Sequence, residues 1–373
     1  MKYDKIPLAG PSITDKEREY VIDAVENGWY EQYDMHIRKL EQTFSKQFGV
    51  KHTIATYCGT HALHLAVLAA GLQEGDEVIC TDQSYIATAF AISYVGAVPV
   101  FVDINPETLC MDANLIEPAI TGKTRAIMVV HFAGFTADME RIMAIARRHQ
   151  LVVIEDACQA IGSRHQHAYA GTIGHAGAFS FQGSKIAVGG EGGMFVTNDD
   201  HLYEVARHFG TFCRNDSISY LYSDGLGYNY RIANITAALI LAQVERLDEL
   251  VAIKKQLHEW YTELLADQPH IRILHAPSTC ETNYAYTVGY IADHCACSNK
   301  QLTQAMLGEN IHIRPGYPSM SSMLDYRRRF DVSSSLRYAE KGIVFPTAMN
   351  LTHEDVTRVC ERLVFHVDRL SRL

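Results

Sequence analysis

LVVIEDACQAIGSRHQHAYAGTIGHAGAFSFQGSKIAVGGEGGMFVT, residues 151–197, holds three short apolar runs and one glycine-rich connection. The runs are LVVIED (151–156), AGAFSF (176–181) and GMFVT (193–197). Each is too short for a helix and lacks polar alternation, the pattern of a strand buried on both faces. Runs of the same kind recur toward the N-terminus: KHTIAT (51–56), EVICT (77–81), VPVFVD (98–103) and RAIMVVHF (125–132). Helical segments separate them at 61–70, at 84–96 (SYIATAFAISYVG) and at 137–149. This alternation predicts an α/β fold with a mainly parallel seven-stranded sheet, covered on both faces and joined by right-handed crossovers.

Two more helices are predicted before the first strand. One covers 12–27 with Ser12 or Thr14 as cap, and the other covers 35–48 and ends at Gly49. A long helix is predicted from Asn234 to about 266, broken near 246–250. Beyond it the pattern changes: 284–291 reads as a strand, 299–309 and 353–370 as helices. A chain of 373 residues exceeds what one core supports, about 300 residues. The expected division is a large domain over 1–245, including the N-terminal helical segment, and a small C-terminal α+β domain over 246–373.

The chain carries 33 Lys and Arg against 43 Asp and Glu, a net charge of −10. No basic excess exists to neutralise phosphates, so nucleic acid and membrane surfaces are not expected partners. No run approaches the ~18 apolar residues of a membrane span, and the opening residues lack the apolar core of a signal peptide. The cytoplasm is the expected location. The nine cysteines sit mostly in apolar runs and read as free thiols. Cys295 and Cys297 (CAC) are too close for the usual CxxC pair, so no metal is expected.

Lys185 follows an apolar strand and is surrounded by Gly183, Ser184, Gly189, Gly190, Gly192 and Gly193. Such a segment lets backbone approach a ligand closely, at the strand ends where α/β proteins bind ligands. A lysine there can form an imine with an aldehyde and then act as a base; alternatively it faces solvent from a glycine-rich turn. Asp156 ends a buried strand and points to the same crevice, unless it caps a helix. Gly59 and Thr60 open the helix after a strand, where free N–H groups and the helix dipole suit a phosphate. Ser180 could add a hydroxyl to that phosphate, and Tyr85 could lay its ring on a flat ligand. The joint order is what pyridoxal 5′-phosphate (PLP) requires: a phosphate cradle, an acid for the pyridine nitrogen and an imine-forming lysine. His131 reads as a satisfied core histidine in preference to a site residue. Arg231 could bind a carboxylate or phosphate, or pair with a nearby acid.

VFVDINPETLCMD (100–112), IEDACQAIGS (154–163), FSFQGSKIAVGGEGGM (179–194) and GYNYRIANITAAL (227–239) resemble the DegT/DnrJ/EryC1/StrS sugar aminotransferases, of PLP fold type I. The resemblance implies that Lys185 is the Schiff-base lysine, Asp156 the partner of the pyridine nitrogen and Tyr85 the residue stacked on the ring. Gln159 would contact the ring hydroxyl or the substrate, and Gly59, Thr60 and Ser180 the phosphate. Asn229 would reach the phosphate in a neighbouring subunit, which makes the expected state a homodimer with shared sites. Tyr317 and Arg231 are the implied substrate-facing residues. The implied reaction passes an amino group from glutamate or glutamine, by way of pyridoxamine 5′-phosphate, to a keto sugar, nucleotide-linked as the resemblance implies. Relatives with His at the lysine position are dehydratases, and Lys185 argues against that chemistry.

Three segments depart from the family pattern. Cys58 replaces the usual Ser before Gly-Thr. YEQYDMHIRK (30–39) is bulky where small polar residues are usual, and IRPGYPSMSSM (313–323) lacks the usual histidine. With Gln182, which is similar to the cyclitol branch, these leave a keto-cyclitol or free keto sugar as an alternative acceptor. A PLP-binding regulator without transaminase activity is the alternative of another class.

Overall fold

The computed structural model describes residues 5–371, so residues 1–4 and 372–373, the outer ends of the two expected domains, lie outside it. A seven-stranded sheet runs in the order His52–Thr56, Gly193–Thr197, Ala176–Ser180, Val152–Asp156, Thr124–Val130, Glu77–Thr81, Val98–Val102. All neighbours are parallel except Gly193–Thr197, which runs antiparallel to both of its own. The exception has a local cause. No helix separates Ala176–Ser180 from Gly193–Thr197; the glycine-rich segment simply folds back. Phe181 N–H donates to Gly192 O at 2.9 Å, and Gly183 N–H to Gly190 O at 2.9 Å. Lys185 sits at the tip of that return.

Helices cover both faces. On one, Leu40, Phe44 and Phe48 pack with Ile142, Ile240 and Leu241 against Phe179 and Met194. On the other, Leu63, Leu65 and Val67 of the helix Gly59–Ala69 pack with Ile92, Phe101 and Phe195. Helix Asp15–Asn27 begins at a capping box, with Thr14 as the cap and Glu17 reaching back to Thr14 N–H at 2.7 Å. Glu17 is 1 % exposed. Burial raises its pKa, but bonds from Thr14, then Arg246 and Gln243, overcome this and hold it at about 2. Arg246 is also where the long helix breaks, into Asn234–Glu245 and Leu247–Leu264. The second half serves two cores: Leu247 and Leu250 lie in the sheet core, Leu257 and Tyr261 in a separate cluster.

That second cluster lines a four-stranded sheet ordered Ile271–Ile273, Val288–Ile291, Gly342–Val344, Arg314–Pro315. Helices Asn299–Leu307 and His353–Ser371 pack on it. The N-terminal segment joins this portion: Ile6 N–H donates to Asn310 O at 2.9 Å and Thr347 N–H to Leu8 O at 2.7 Å.

Several expected elements are shorter than the sequence indicates. The strand expected over 284–291 is only Val288–Ile291, because Asn283 turns away to donate to Ile161 O at 2.8 Å and Tyr284 adopts φ 44°. The strand expected over 125–132 stops at Val130, where Phe132–Gly134 closes a tight turn through Ala133 at φ 56°. The helix expected over 84–96 is Ala87–Ser93, its first residues being taken up in a loop that buries Ser84. The helix expected over 299–309 ends at Leu307. Helices Asp200–Gly210 and Ser333–Lys341 have no counterpart in the sequence reading. All nine cysteines are free, and no helix among the described residues is long and apolar enough to cross a membrane.

Candidate active site

Four of the expected residues converge at the carboxyl ends of the parallel strands. Adjacent residues of a strand point to opposite faces, and Val152–Asp156 uses this to separate two acids. Glu155 faces inward and meets the His131 ring at 2.7 Å, both fully buried. Glu155 also accepts from Gly171 and Ile173 N–H at 2.8 and 2.6 Å, and His131 Nδ1 accepts from Ala137 N–H at 3.2 Å. His131 is therefore a satisfied core histidine. Asp156 faces the other way, into the crevice. Its Oδ2 accepts from Thr88 Oγ1 at 2.8 Å and its Oδ1 from Cys158 N–H at 3.1 Å. It caps no helix. The two bonds fix the carboxylate on one side and leave its remaining lone pairs for a ligand.

The phosphate cradle has a steric signature. A Cβ at Gly59 would lie 2.9 Å from Cys158 Sγ and 2.9 Å from Ser180 Cβ, so only glycine lets this helix start approach the strand end. The helix cap is Cys58, which makes no side-chain cap bond, and Thr60 lies inside the helix. The first N–H groups of Gly59–Ala69 are thus left for an anion, with Ser180 beside them. Asp156 behind and an open helix start in front fit a phosphorylated pyridine, and the residues present suit PLP.

Lys185 is half-buried and faces Tyr286, Tyr317, Cys158 and Asp156. Burial alone would lower its pKa; Tyr286, then Tyr317, Cys158 and Asp156, outweigh that, and the net shift is up. Tyr286 is the counterpart. Burial would raise its phenol, but Lys185, Ser184 and Arg314 pull it down. Its hydroxyl lies 3.2 Å from Ser184 Oγ. Tyr317 is held at its backbone, whose oxygen accepts from Gln83 Nε2 at 2.9 Å, and its own phenol is raised by burial and by Tyr286. Gln159 is 6 % exposed; its Oε1 accepts from Ala133 N–H at 2.9 Å, leaving its amide N–H groups free to turn to a ligand. Tyr85 is 64 % exposed, so one ring face is open. Gln182 is spent within its own turn, accepting from Ser184 N–H and Oγ at 2.9 and 2.6 Å.

Asn229 and Arg231 stand apart from this group. Their segment bridges to Thr56 and Thr211, yet both side chains are exposed. They line an outer cavity of about 600 Å³ with Tyr33, Asp34, Tyr57 and Tyr203. In the segment that supplies Tyr33, Trp29, Tyr30 and Tyr33 are more than half exposed, as are Tyr220, Leu221 and Leu226 in the segment before Asn229.

Four residues at the site had no sequence signal of their own: Thr88, Cys158, Tyr286 and Arg314. Arg314 is the most informative. Its guanidinium lies 5.5 Å from both the Tyr286 and Tyr317 ring centres. Its Nε and Nη2 are buried with no hydrogen-bond partner, and among the described residues no carboxylate forms an ion pair with it. Its place three residues before Tyr317 was the available clue.

Comparison with known proteins places the chain. The profile described as the DegT/DnrJ/EryC1/StrS aminotransferase family matches residues 11–364. The chain is 37% identical over 366 residues to the GDP-perosamine synthase of Escherichia coli O157:H7, covering 97% of this chain and 98% of that protein. It is 37% identical over 369 residues to the GDP-perosamine synthase of Caulobacter vibrioides, covering 96% and 97%. The crystal structure of DesI with its TDP-sugar product superposes with a TM-score of 0.91 at 26% identity, over 99% of this chain and 94% of that one. The aminotransferase TlmJ of Streptoalloteichus hindustanus gives 0.91 at 23% identity, over 98% and 99%, a likeness of fold.

Proposed function

Because the chain belongs to the DegT/DnrJ/EryC1/StrS aminotransferase family and is a PLP-dependent enzyme, we propose that it carries an amino group from glutamate or glutamine to a keto sugar bound to a nucleotide, in amino-sugar biosynthesis. The observation that carries this reading is the convergence of Lys185, Asp156 and the Gly59–Ser180 cradle on one crevice, in a chain 37% identical to GDP-perosamine synthases along nearly its full length.

When bound, PLP supplies the electron sink that makes a carbon next to the amine acidic. The chain's own groups do the rest. Asp156, fixed by Thr88 and Cys158 N–H, holds a proton at the pyridine nitrogen. Gly59, Thr60 and Ser180 would hold the phosphate, Tyr85 would cover the ring and Gln159 would meet its hydroxyl. Lys185 Nζ would hold the cofactor and would move the proton at the substrate carbon. Arg314 offers two buried N–H groups without a partner, Nε and Nη2, to the donor's carboxylate. Donor and acceptor use the site in turn, the donor leaving as an oxo acid. Tyr317 faces the acceptor, and Asn229 and Arg231, exposed beside a patch of aromatic and aliphatic side chains, complete the site of a second copy in a homodimer.

The test uses the cofactor's visible absorption. Glutamate or glutamine should bleach the band of the PLP-loaded protein, and GDP-perosamine should bleach it in the reverse direction. Bleaching by neither amino acid nor any nucleotide-linked amino sugar sinks the reading. Bleaching by amino cyclitols alone transfers it to the cyclitol acceptor.

A further inference from the structure

At the edge opposite the strand Arg314–Pro315, the small sheet carries a second cluster of ligating groups. His270 immediately precedes the strand Ile271–Ile273, and His294 and Cys295 follow its antiparallel neighbour Val288–Ile291. Ile271 pairs with Ile291, so the three side chains meet at one end of the ladder. His270 Nδ1 lies 2.9 Å from His294 Nε2 and 3.4 Å from Cys295 Sγ, and the three ligand atoms all lie within 4.8 Å of one another. Zinc bonds of about 2.0–2.1 Å to nitrogen and about 2.3 Å to sulfur, at tetrahedral angles, separate ligand atoms by roughly 3.3–3.6 Å. The two spacings measured from His270 Nδ1 therefore need to change by only a few tenths of an ångström.

Two further observations point the same way. His270 Nε2 lies 3.4 Å from Asp368 Oδ1 on the terminal helix, and that oxygen is buried with no hydrogen-bond partner. A carboxylate on the far nitrogen keeps the proton there and directs the Nδ1 lone pair at the cluster, as in carboxylate–histidine–zinc arrangements. Lys341 Nζ also donates to Cys295 O at 2.8 Å and Cys297 O at 3.1 Å, which fixes the turn that presents the thiol. The CAC spacing gave no metal signal because Cys297 is not a ligand: its sulfur lies 3.9 Å from Ser371 Oγ.

We infer that His270, His294 and Cys295 form a zinc site, with Asp368 behind His270 and water as the fourth ligand on the side where His294 is exposed. Binding releases the Cys295 thiol proton to solvent and leaves a thiolate on the metal. The mixed nitrogen and sulfur set selects zinc over magnesium or calcium. The ion ties the two strand ends to each other and, through Asp368, to the terminal helix. Its role is structural, since it lies at the sheet edge opposite the strand that carries Arg314.

Cobalt substitution tests the site. The PLP-loaded protein, stripped with a chelator and titrated with Co²⁺, should bind one ion per chain and show the d–d bands of tetrahedral cobalt. These lie to the red of the cofactor's absorption, and Zn²⁺ should abolish them. His294→Gln, an exposed change with little risk to folding, and Cys295→Ser should both lose the bands while keeping amino transfer. Asp368→Asn should weaken zinc binding by about ten- to a hundredfold. Absence of tetrahedral bands in the wild type, or bands of equal strength in His294→Gln, overturns the proposal and leaves an ordinary histidine pair.

Discussion

Two lysines are drawn out of solvent, and their surroundings differ in every chemical respect. Lys254 is 1 % exposed, and its Nζ donates to Thr347 O and, at 3.2 Å, to Thr347 Oγ1. Only burial acts on it, and its pKa falls to about 7. Lys185 is less buried, yet two phenols, a thiol and a carboxylate face it, and its pKa rises. Lys254 stands between helix and loop as a packing element with a polar tip. Lys185 stands where the chain folds back between two strands, opposite a fixed acid and an open helix start. The difference teaches that a buried or shifted lysine is not in itself a reactive one. What distinguishes Lys185 is the room that glycines leave beside it and the acids arranged around it.

The sharpest way to break this comparison is to exchange the two losses. Lys185→Ala should reduce amino transfer by more than about a thousandfold, since it removes both the covalent attachment and the proton carrier, with little change in thermal unfolding. Lys254→Met should keep turnover within a few-fold. If steady-state rates showed the two variants equally impaired, the assignment of chemistry to Lys185 would fail. Asp156→Asn should follow, at about a hundred- to a thousandfold, because an amide holds the ring proton poorly. Thr88→Val, which removes one bond to Asp156, should cost about 0.5–1.5 kcal/mol of the same effect, roughly two- to tenfold.

The same contrast explains how much was legible in the sequence. Around Lys185 the signals were local: apolar runs that can only be buried strands, an acid closing one of them, glycines flanking the lysine and Gly-Thr opening a helix. Each rests on a short-range physical constraint, so the sheet, Asp156, Ser180 and Gly59 were readable from a single stretch each. Tyr286 reaches the site from a bend just before the four-residue strand Val288–Ile291 and Arg314 from a two-residue strand, both a hundred or more positions beyond Lys185, where no periodicity can develop. Thr88 sits in an apolar helix and looks like core. Helix Asp200–Gly210 was missed although Asp199 caps it, accepting from His201 and Leu202 N–H at 2.8 and 3.1 Å, because its polar face dominates the composition. Lys254 misleads in the opposite direction: beside Lys255 it reads as half of a surface pair, and only the fold reveals its burial.

Arg314 extends the comparison to a second cation. Like Lys254 it has no carboxylate partner, but it lies among the phenols that face Lys185. If it receives the donor, Arg314→Gln should raise KM for glutamate by about ten- to a hundredfold, the worth of a charged hydrogen bond, with a smaller change in kcat. KM for the sugar should move little. An equal rise for donor and sugar would make Arg314 a general prop of the pocket and not a donor site.

The last expected effect concerns Lys254 and is read in stability, not turnover. Its folded pKa of about 7 lies below the unfolded value of about 10.4, so between these limits the unfolded chain holds a proton that the folded chain has released. Stability from this group is therefore fully present above about pH 10, falls as pH drops, and is fully lost below about pH 7. The slope in that window approaches about 1.4 kcal/mol per pH unit. Methionine fills similar volume without a proton to exchange, while the loss of the bond to Thr347 O is a constant offset. Urea unfolding of wild type and Lys254→Met from pH 6 to 10 isolates the term, because every other titrating group cancels in the difference. The variant's advantage should be greatest at pH 6 and shrink steadily toward pH 10. Parallel curves would mean that Lys254 stays protonated inside the fold, its charge satisfied by Thr347 alone, and the contrast between the two lysines would then rest on position only.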